Sequence, residues 1–225
     1  PALDTFNDEL HTKAVADLSE KEKFSKIFLP ASVAGRSLAA RLTVRLKAGL
    51  AADASEVRQN GTGLKAKRAK YSGNIVSEVE FKSPFQIVTL QAMVYPRAER
   101  QAGRAGETVK VAFEAGASRV DFVSFQPEAT TEIDLGAAER IVAGGRGLGS
   151  ADGFKVVREL AQTISAAVGA SRAVVDSGWI AYRNQVWLTG RSVRPKLYVA
   201  LGISGQIQHL AGMSSSGTIV AINTD

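Results

Sequence analysis

The sequence predicts an α/β protein of two domains, the C-terminal one built on a parallel, doubly wound sheet. Three observations carry that reading. From residue 140 to 223, short apolar runs alternate with glycine-rich turns and amphipathic stretches, and this strand–helix order produces parallel pairing with right-handed crossovers. Residues 53–127 instead show period-two alternation broken by Gly, Pro and Ser, the signature of strands. Between the two patterns lies the polar, acidic segment 126–132, a connector that divides the chain into residues 1–128 and 129–225.

The elements follow in order. Residues 1–22 are polar, with an amphipathic stretch at 14–18. Residues 24–29 predict an interior strand stopped by Pro30. Ser32 is the candidate N-cap of a helix running to about Lys47, with Leu38, Ala39, Leu42 and Leu46 on one face, and Gly49 stops it. Strands are expected at 74–81, 85–90, 108–113 and 119–125, the last an edge or meander strand. The basic run 65–70 reads as a solvated loop or strand edge.

In the C-terminal half, residues 140–143 form a strand and 144–149 a glycine turn. Ser150 or Asp152 caps a helix running to about Val168, with Val156, Val157, Leu160, Ile164 and Val168 as its apolar stripe. Residues 173–175 and 197–201 are strands, and a turn at 202–205 leads into a short helix through Leu210. Residues 218–223 form a buried final strand. No covering helix follows that strand, and only a short polar lead-in precedes 24–29, so segments are expected to be missing at both ends.

Composition removes several chemistries. There is no cysteine, which excludes disulfides, thiolate metal sites, iron–sulfur clusters and a Cys nucleophile. Two histidines, His11 and His209, leave little material for zinc. No apolar run reaches the ~18 residues of a membrane span, and no signal peptide is expected. The net charge of +6 is concentrated in residues 140–225, which carry nine Lys and Arg against four acidic residues. Arginines scattered beside glycine turns suit a bound phosphate ester better than a nucleic acid duplex.

Two turns carry the candidate chemistry. Residues 144–149 place Gly at 145, 147 and 149, which is not the dinucleotide fingerprint. Such a turn either presents backbone N–H groups and Arg146 to an anion or is simply tight. Residues 202–212 set Ser204 between glycines at an expected helix start, with Gln208 and His209 one turn on and Ile207, Leu210 and Ala211 facing inward. His209 is then a ligand contact or a satisfied core histidine. Ser171 and Arg172 precede the expected strand at 173–175, where an arginine more often pairs with a carboxylate than with a ligand. Trp179, Tyr182 and Trp187 read as core or interface rather than adenine packing. Ser204, His209 and Asp176 make a poor hydrolase, because the second glycine after Gly202 comes one position too early for a nucleophile elbow.

Residues 140–148, 166–176 and 195–213, with 219–223, together resemble the α subunit of electron transfer flavoprotein, and 24–125 resembles that family's N-terminal domain more weakly. The resemblance implies a Rossmann-like, FAD-binding C-terminal domain and a β subunit that completes a heterodimer. It implies an electron carrier with no substrate chemistry of its own, taking electrons from acyl-CoA or other flavin dehydrogenases to a quinone oxidoreductase or another acceptor. It also implies no nucleic acid partner, no stable membrane insertion, and a bacterial cytoplasm or a mitochondrial matrix as location. By the same resemblance, Arg146 touches the pyrophosphate or ribityl region, and Ser171 and Arg172 lie at the flavin, Arg172 stabilising its reduced form. Val186, Trp187, Leu188 and Thr189 form the flavin loop, with Thr189 at the N5 edge. Ser204, Gly205, Gln206, Ile207, Gln208 and His209 hold the phosphate, ribityl and pyrimidine end, with His209 at the O2 carbonyl. Asn223 sits at the adenosine end. Trp187 stands where the family usually has glycine, so a steric or positive-φ conflict is expected there. Leu188 replaces a polar flavin contact. Two other readings use the same turns: a non-redox adenine-nucleotide-binding regulatory module, and an NAD-dependent deacylase.

Overall fold

The computed structural model describes residues 3–71, 74–92, 94–95, 98–126, 132–187 and 191–224. These fall into two compact units, residues 1–70 with 74–126 and residues 71–73 with 127–225.

The first unit opens with helix α1, Asp8–Lys21, whose N-cap Asn7 accepts from the Glu9 and Leu10 amides through Oδ1. Strand β1, Lys26–Pro30, and helix α2, Val33–Arg45, follow, and Ser32 Oγ caps α2 by accepting from Gly35 N at 3.1 Å. Four more strands complete the unit: β2, Gly49–Asn60; β3, Gly63–Lys70; β4, Ile75–Glu80; and β5, Gln86–Leu90. The sheet order is β1-β5-β2-β3-β4, parallel among the first three and antiparallel across β2, β3 and β4. Leu38, Ala39, Leu42 and Leu46 pack with Ile27 and Ile87 into one core.

Several expectations change here. The strand after Phe24 lies at the sheet's edge, and Phe28 is half exposed. The basic run is an interior strand, β3, because its solvated side is neutralised across the ladder: Lys67 pairs with Glu56 at 2.7 Å, and Lys65 pairs with Glu80. The turn that joins β2 to β3 is the two-residue loop Gly61-Thr62, closed by the Asn60–Gly63 pair, with Gly61 at φ +57. Residues 108–113 and 119–125 are not strands. They carry no regular secondary structure and lie against α1, where Lys13 Nζ stands 5.4 Å from the Phe113 ring centre, Glu9 takes the Arg119 side chain at 2.6 Å and Asn7 Nδ2 donates to the Val120 carbonyl at 2.8 Å. Their alternating Val and Phe find no ladder among the described residues, and Val123 and Phe125 remain exposed.

The second unit is a four-stranded parallel sheet. Its elements are β6, Arg140–Gly144; α3, Phe154–Thr163; β7, Ala167–Ala170; α4, Arg172–Asp176; β8, Leu197–Leu201; α5, Ile207–Met213; and β9, Thr218–Ile222. The order is β7-β6-β8-β9, all parallel. Helix α3 stops at Thr163, so Val168 lies in β7 and Val156 points to solvent, while Phe154, Val157 and Ala161 face the core. The stop is a Schellman motif on a non-glycine residue: Ser165 takes φ +52, Ser165 N bonds Gln162 O, and Ala166 N bonds Ala161 O at 2.7 Å. The same motif ends α1 at Lys23 and α2 at Lys47, so Lys47 rather than Gly49 stops α2. Residues 173–175 belong to α4, not to a strand. Strand β9 is exposed along its length, not buried, because it is the sheet's edge.

Glu132 anchors the lead-in to this unit. It takes Arg158 at 2.5 Å, Arg183 at 3.5 Å and Asn184 Nδ2 at 3.0 Å. Burial raises its pKa, but Asn184, Arg158 and Arg183 outweigh that and hold it below the usual carboxylate value.

Candidate functional site

Where a parallel sheet's chain goes first to one side and then to the other, the loops at the carboxyl ends of the two central strands part and leave a crevice. Here that place is the junction of β6 and β8. A cavity of about 330 Å³ lies there, lined by Arg146, Ser171, Trp187, Ser204, Gln206 and His209 with Ala173, Gly202 and Ile203.

Its floor is two loops in backbone contact. Gly147 N donates to Gly202 O at 2.9 Å, and Gly145 N donates to Leu201 O at 2.9 Å. Gly202 sits at φ +64, and a Cβ on it would lie 2.7 Å from Gly147 Cα. A Cβ on Gly147 would in turn meet Gly202 Cα at 2.6 Å. Only glycine on both sides allows this approach. Arg146 stands in a 3-10 turn between them, exposed and without an ion pair among the described residues.

Ser171 is buried at the end of β7, its amide held by the Gly144 carbonyl at 3.0 Å, and it is the N-cap residue of α4. Arg172 is not among the lining residues and bonds Asp176 through Nε at 3.1 Å, the carboxylate pairing that its residue type favoured. Both partners are more than half exposed. Val186 is fully buried, donating from N to the Ala170 carbonyl at 2.9 Å, and belongs to the core rather than to the cavity wall. Trp187 lines the cavity at 9% exposure and has no positive φ, so the expected backbone conflict is absent. Leu188 and Thr189 lie outside the described residues.

The loop after β8 differs from expectation in two ways. Helix α5 starts at Ile207 with Gln206 as its N-cap, which places Ser204 ahead of the helix instead of on its first turn. Its inward face is His209, Gly212 and Met213, whereas Ile207 and Leu210 are 41% and 42% exposed. His209 can be buried because Tyr198, fully buried on β8, meets its Nε2 at 3.0 Å. Its ring also packs edge-on against Trp187, with centroids 6.4 Å apart. Burial pulls His209 down to about 4, opposed in part by the Val186 backbone, which does not close a hydrogen bond on Nδ1. The imidazole is therefore neutral near pH 7, and burial likewise pushes the Tyr198 phenol well up. Gly205, at φ +72, has open space beside it. Gln208 does not line the cavity, although its Oε1 is buried without a partner among the described residues. Asn223 follows β9, takes the Thr224 amide at 3.0 Å and is also outside the lining.

Sequence reasoning missed Tyr198. The signal was present: a hydroxyl in the apolar run of a strand entering the site needs a buried partner. Among the described residues no group of acidic and histidine side chains could hold a metal, and no helix is long and apolar enough to cross a membrane.

Residues 134–214 match the electron transfer flavoprotein FAD-binding domain, and residues 1–116 match the electron transfer flavoprotein domain. The chain is 43% identical to the electron transfer flavoprotein subunit alpha of Thermoanaerobacterium thermosaccharolyticum, over 99% of its own length and 69% of that protein's. It is 39% identical to the Mycobacterium leprae subunit alpha, over 94% and 65% of the two lengths. With the Bacillus subtilis subunit alpha it shares 35% identity over 100% and 69%. The chain thus spans about two thirds of the length of these relatives. The cavity suits the cofactor that the matched domain binds. It offers a backbone cradle that a side chain would fill and, among the described residues, an arginine without an ion pair and a buried imidazole nitrogen without a hydrogen-bond partner.

Proposed function

The chain belongs to the electron transfer flavoprotein α-subunit family, and on that premise we propose that it holds FAD in the crevice at the β6–β8 junction and serves as an electron carrier. The observation that carries this reading is the cavity where Arg146, Ser171, Trp187, Ser204, Gln206 and His209 converge on a glycine floor. When bound, FAD supplies the electron acceptance and release that no side chain here can provide.

The side chains bind and orient. Arg146 offers fixed positive charge to the pyrophosphate, and the Gly145–Gly147 turn lets backbone approach it closely. Ser171, Ser204 and Gln206 supply hydroxyl and amide donors. Trp187 and Ile203 exclude water from one wall, and His209 donates as a neutral imidazole. Arg172 lends positive charge from α4 beside Ser171. Gly205, Ile207 and Gln208 shape the turn into α5, Asn223 serves the adenosine end, and Val186 backs the loop that continues to Leu188 and Thr189.

In this proposal residues 1–128 are the N-terminal domain and residues 129–225 the FAD-binding domain. A β subunit completes a heterodimer and the site. Electrons arrive from flavin dehydrogenases, such as those acting on acyl-CoA, and leave to a quinone oxidoreductase or another acceptor. The chain itself performs no substrate chemistry and works in a bacterial cytoplasm or, in a eukaryote, a mitochondrial matrix. Co-expression with its β subunit tests the reading: the purified complex should show the visible absorption bands of oxidised flavin, and a colourless stoichiometric complex would overturn it.

A further inference from the structure

His209 lines the cavity and Tyr198 lies buried behind it, and the contacts of the pair settle where its protons sit. Tyr198 Oη has one polar neighbour among the described residues, His209 Nε2 at 3.0 Å, and Tyr198 is fully buried on β8. His209 is 2% exposed, and its Nδ1 closes no hydrogen bond of good geometry among the described residues, although the Val186 backbone is near enough to act on the ring. A neutral imidazole carries one proton, on Nδ1 or on Nε2.

If Nε2 carried it, Nε2–H would donate to the phenol oxygen. The phenol proton would then have no acceptor, and Nδ1 would be a buried lone pair without a donor. Two buried groups would be unsatisfied. If Nδ1 carries the proton, the phenol donates to Nε2, and only the Nδ1–H lacks a partner. Each buried polar group left unmade costs more than a made bond gains, so the second arrangement wins. Its single unmet group is a donor on a residue that lines the cavity. Tyr198 and Trp187 pack edge-on against the ring, with centroids 6.0 and 6.4 Å away.

We propose that Tyr198 is a positioning residue: its hydroxyl fixes His209 as the Nδ1–H tautomer, so that the site meets its ligand with a neutral, pre-aligned N–H donor. The proposal rests on the FAD-binding reading for the identity of the acceptor, a carbonyl of the flavin, but not for the tautomer. The donor stays neutral because the phenol cannot supply an anion and the imidazole is shielded from solvent.

The test reads the tautomer directly. The chain has two histidines, so long-range proton–nitrogen correlation spectra of ¹⁵N-histidine-labelled protein give two ring systems, and His11→Gln assigns them. The expected result is a protonated Nδ1 and a bare Nε2 on His209 in the native chain, without any flavin. In Tyr198→Phe the proton should move wholly or in part to Nε2, and flavin dissociation from the complete heterodimer should quicken by about 3- to 10-fold, the loss of roughly one hydrogen bond. Protonated Nε2 in the native chain would overturn the proposal even if Tyr198→Phe failed to fold. An unchanged tautomer in a folded Tyr198→Phe would overturn it as well, because a purely structural tyrosine would lower the melt and leave the proton in place. If the native heterodimer holds no flavin while His209 shows Nδ1–H, the electron-carrier reading falls and the positioning role stands.

Discussion

Substituting Gly202 by alanine tests the floor of the site, because the cost separates into two parts that neighbouring glycines isolate. The first is conformational. Gly202 sits at φ +64, and an L side chain there costs about 1–2 kcal/mol. The second is steric. The new Cβ would lie 2.7 Å from Gly147 Cα and 2.8 Å from Leu148 N, both backbone atoms that cannot rotate aside. Overpacking of that kind costs a further ~1–3 kcal/mol. Gly205 provides the control, since its φ is +72 but a Cβ there meets nothing within 4 Å. Gly205→Ala should therefore lose about 1–2 kcal/mol, and Gly202→Ala about 2–5 kcal/mol. Gly147→Ala, without the positive φ, should show the steric part alone. Urea unfolding followed by tryptophan emission measures all three, and flavin retention by the heterodimer should fall in the order Gly205, Gly147, Gly202. Equal losses for Gly202→Ala and Gly205→Ala would mean that the two loops part without cost, and the account of the floor would be wrong.

Three other outcomes follow from contacts elsewhere in the second unit. His209→Ala removes a buried ring and leaves the Tyr198 hydroxyl without a partner, so it should cost about 2–5 kcal/mol in thermal or urea melts; combined with Tyr198→Phe, the loss should fall short of the sum of the two single losses by at least about 0.5 kcal/mol, the lower end of contact couplings, and strict additivity would break the pair. Acid should weaken the unit in two windows. Between about pH 6.5 and about 4 the unfolded chain protonates His209 while the folded one does not, and His209→Gln should flatten that slope. At lower pH the depressed Glu132 carboxylate is protonated and its stabilisation is lost, so Glu132→Gln should flatten the loss there; pH titrations of urea midpoints that leave both slopes unchanged would contradict these assignments. Finally, Ser165→Gly should raise stability by about 0.5–1 kcal/mol by relieving the left-handed residue that ends α3, and a lower midpoint would show that the Ser165 side chain matters more than its φ.

Periodicity made the strand cores legible. The runs that became β6, β8, β5 and β4, and the helix capped by Ser32, stand in the sequence almost where the structure has them. Boundaries that depend on a left-handed non-glycine residue did not. Lys23, Lys47 and Ser165 carry no compositional mark of a stop, so α3 read through into β7, and Val168 was assigned to a helix. The short α4 was hidden because Ala173, Val174 and Val175 are an apolar run that suits a buried strand or one helical turn equally well. The reverse error comes at residues 108–125, where alternation without a neighbouring ladder forms no strand. At the site, the two glycine turns, with Arg146 and Ser204, are readable as anion sites, whereas His209 stays open between ligand and core and Ser171 joins them only through the family resemblance. The direction of α5 is not readable: hydropathy turned Ile207 and Leu210 inward, whereas a single hydrogen bond from Tyr198 makes His209 the buried residue.

The contact between the 145–147 turn and Gly202 also bears on when the crevice can exist during folding. An all-parallel sheet contains no hairpin, and β6 must wait for β8: Arg140 pairs with Leu197 and Gly144 with Leu201, with α3, β7 and α4 intervening in the chain. Pairings of such long sequence separation form slowly, after local helices and turns. A partly folded chain with β6 and β7 docked would display the arginine turn and Ser171 but would lack the wall that carries Tyr198 and His209. Ligand affinity should therefore appear late and all at once, with the docking of β8, so that a cofactor present during refolding traps the finished unit without speeding the steps that build it.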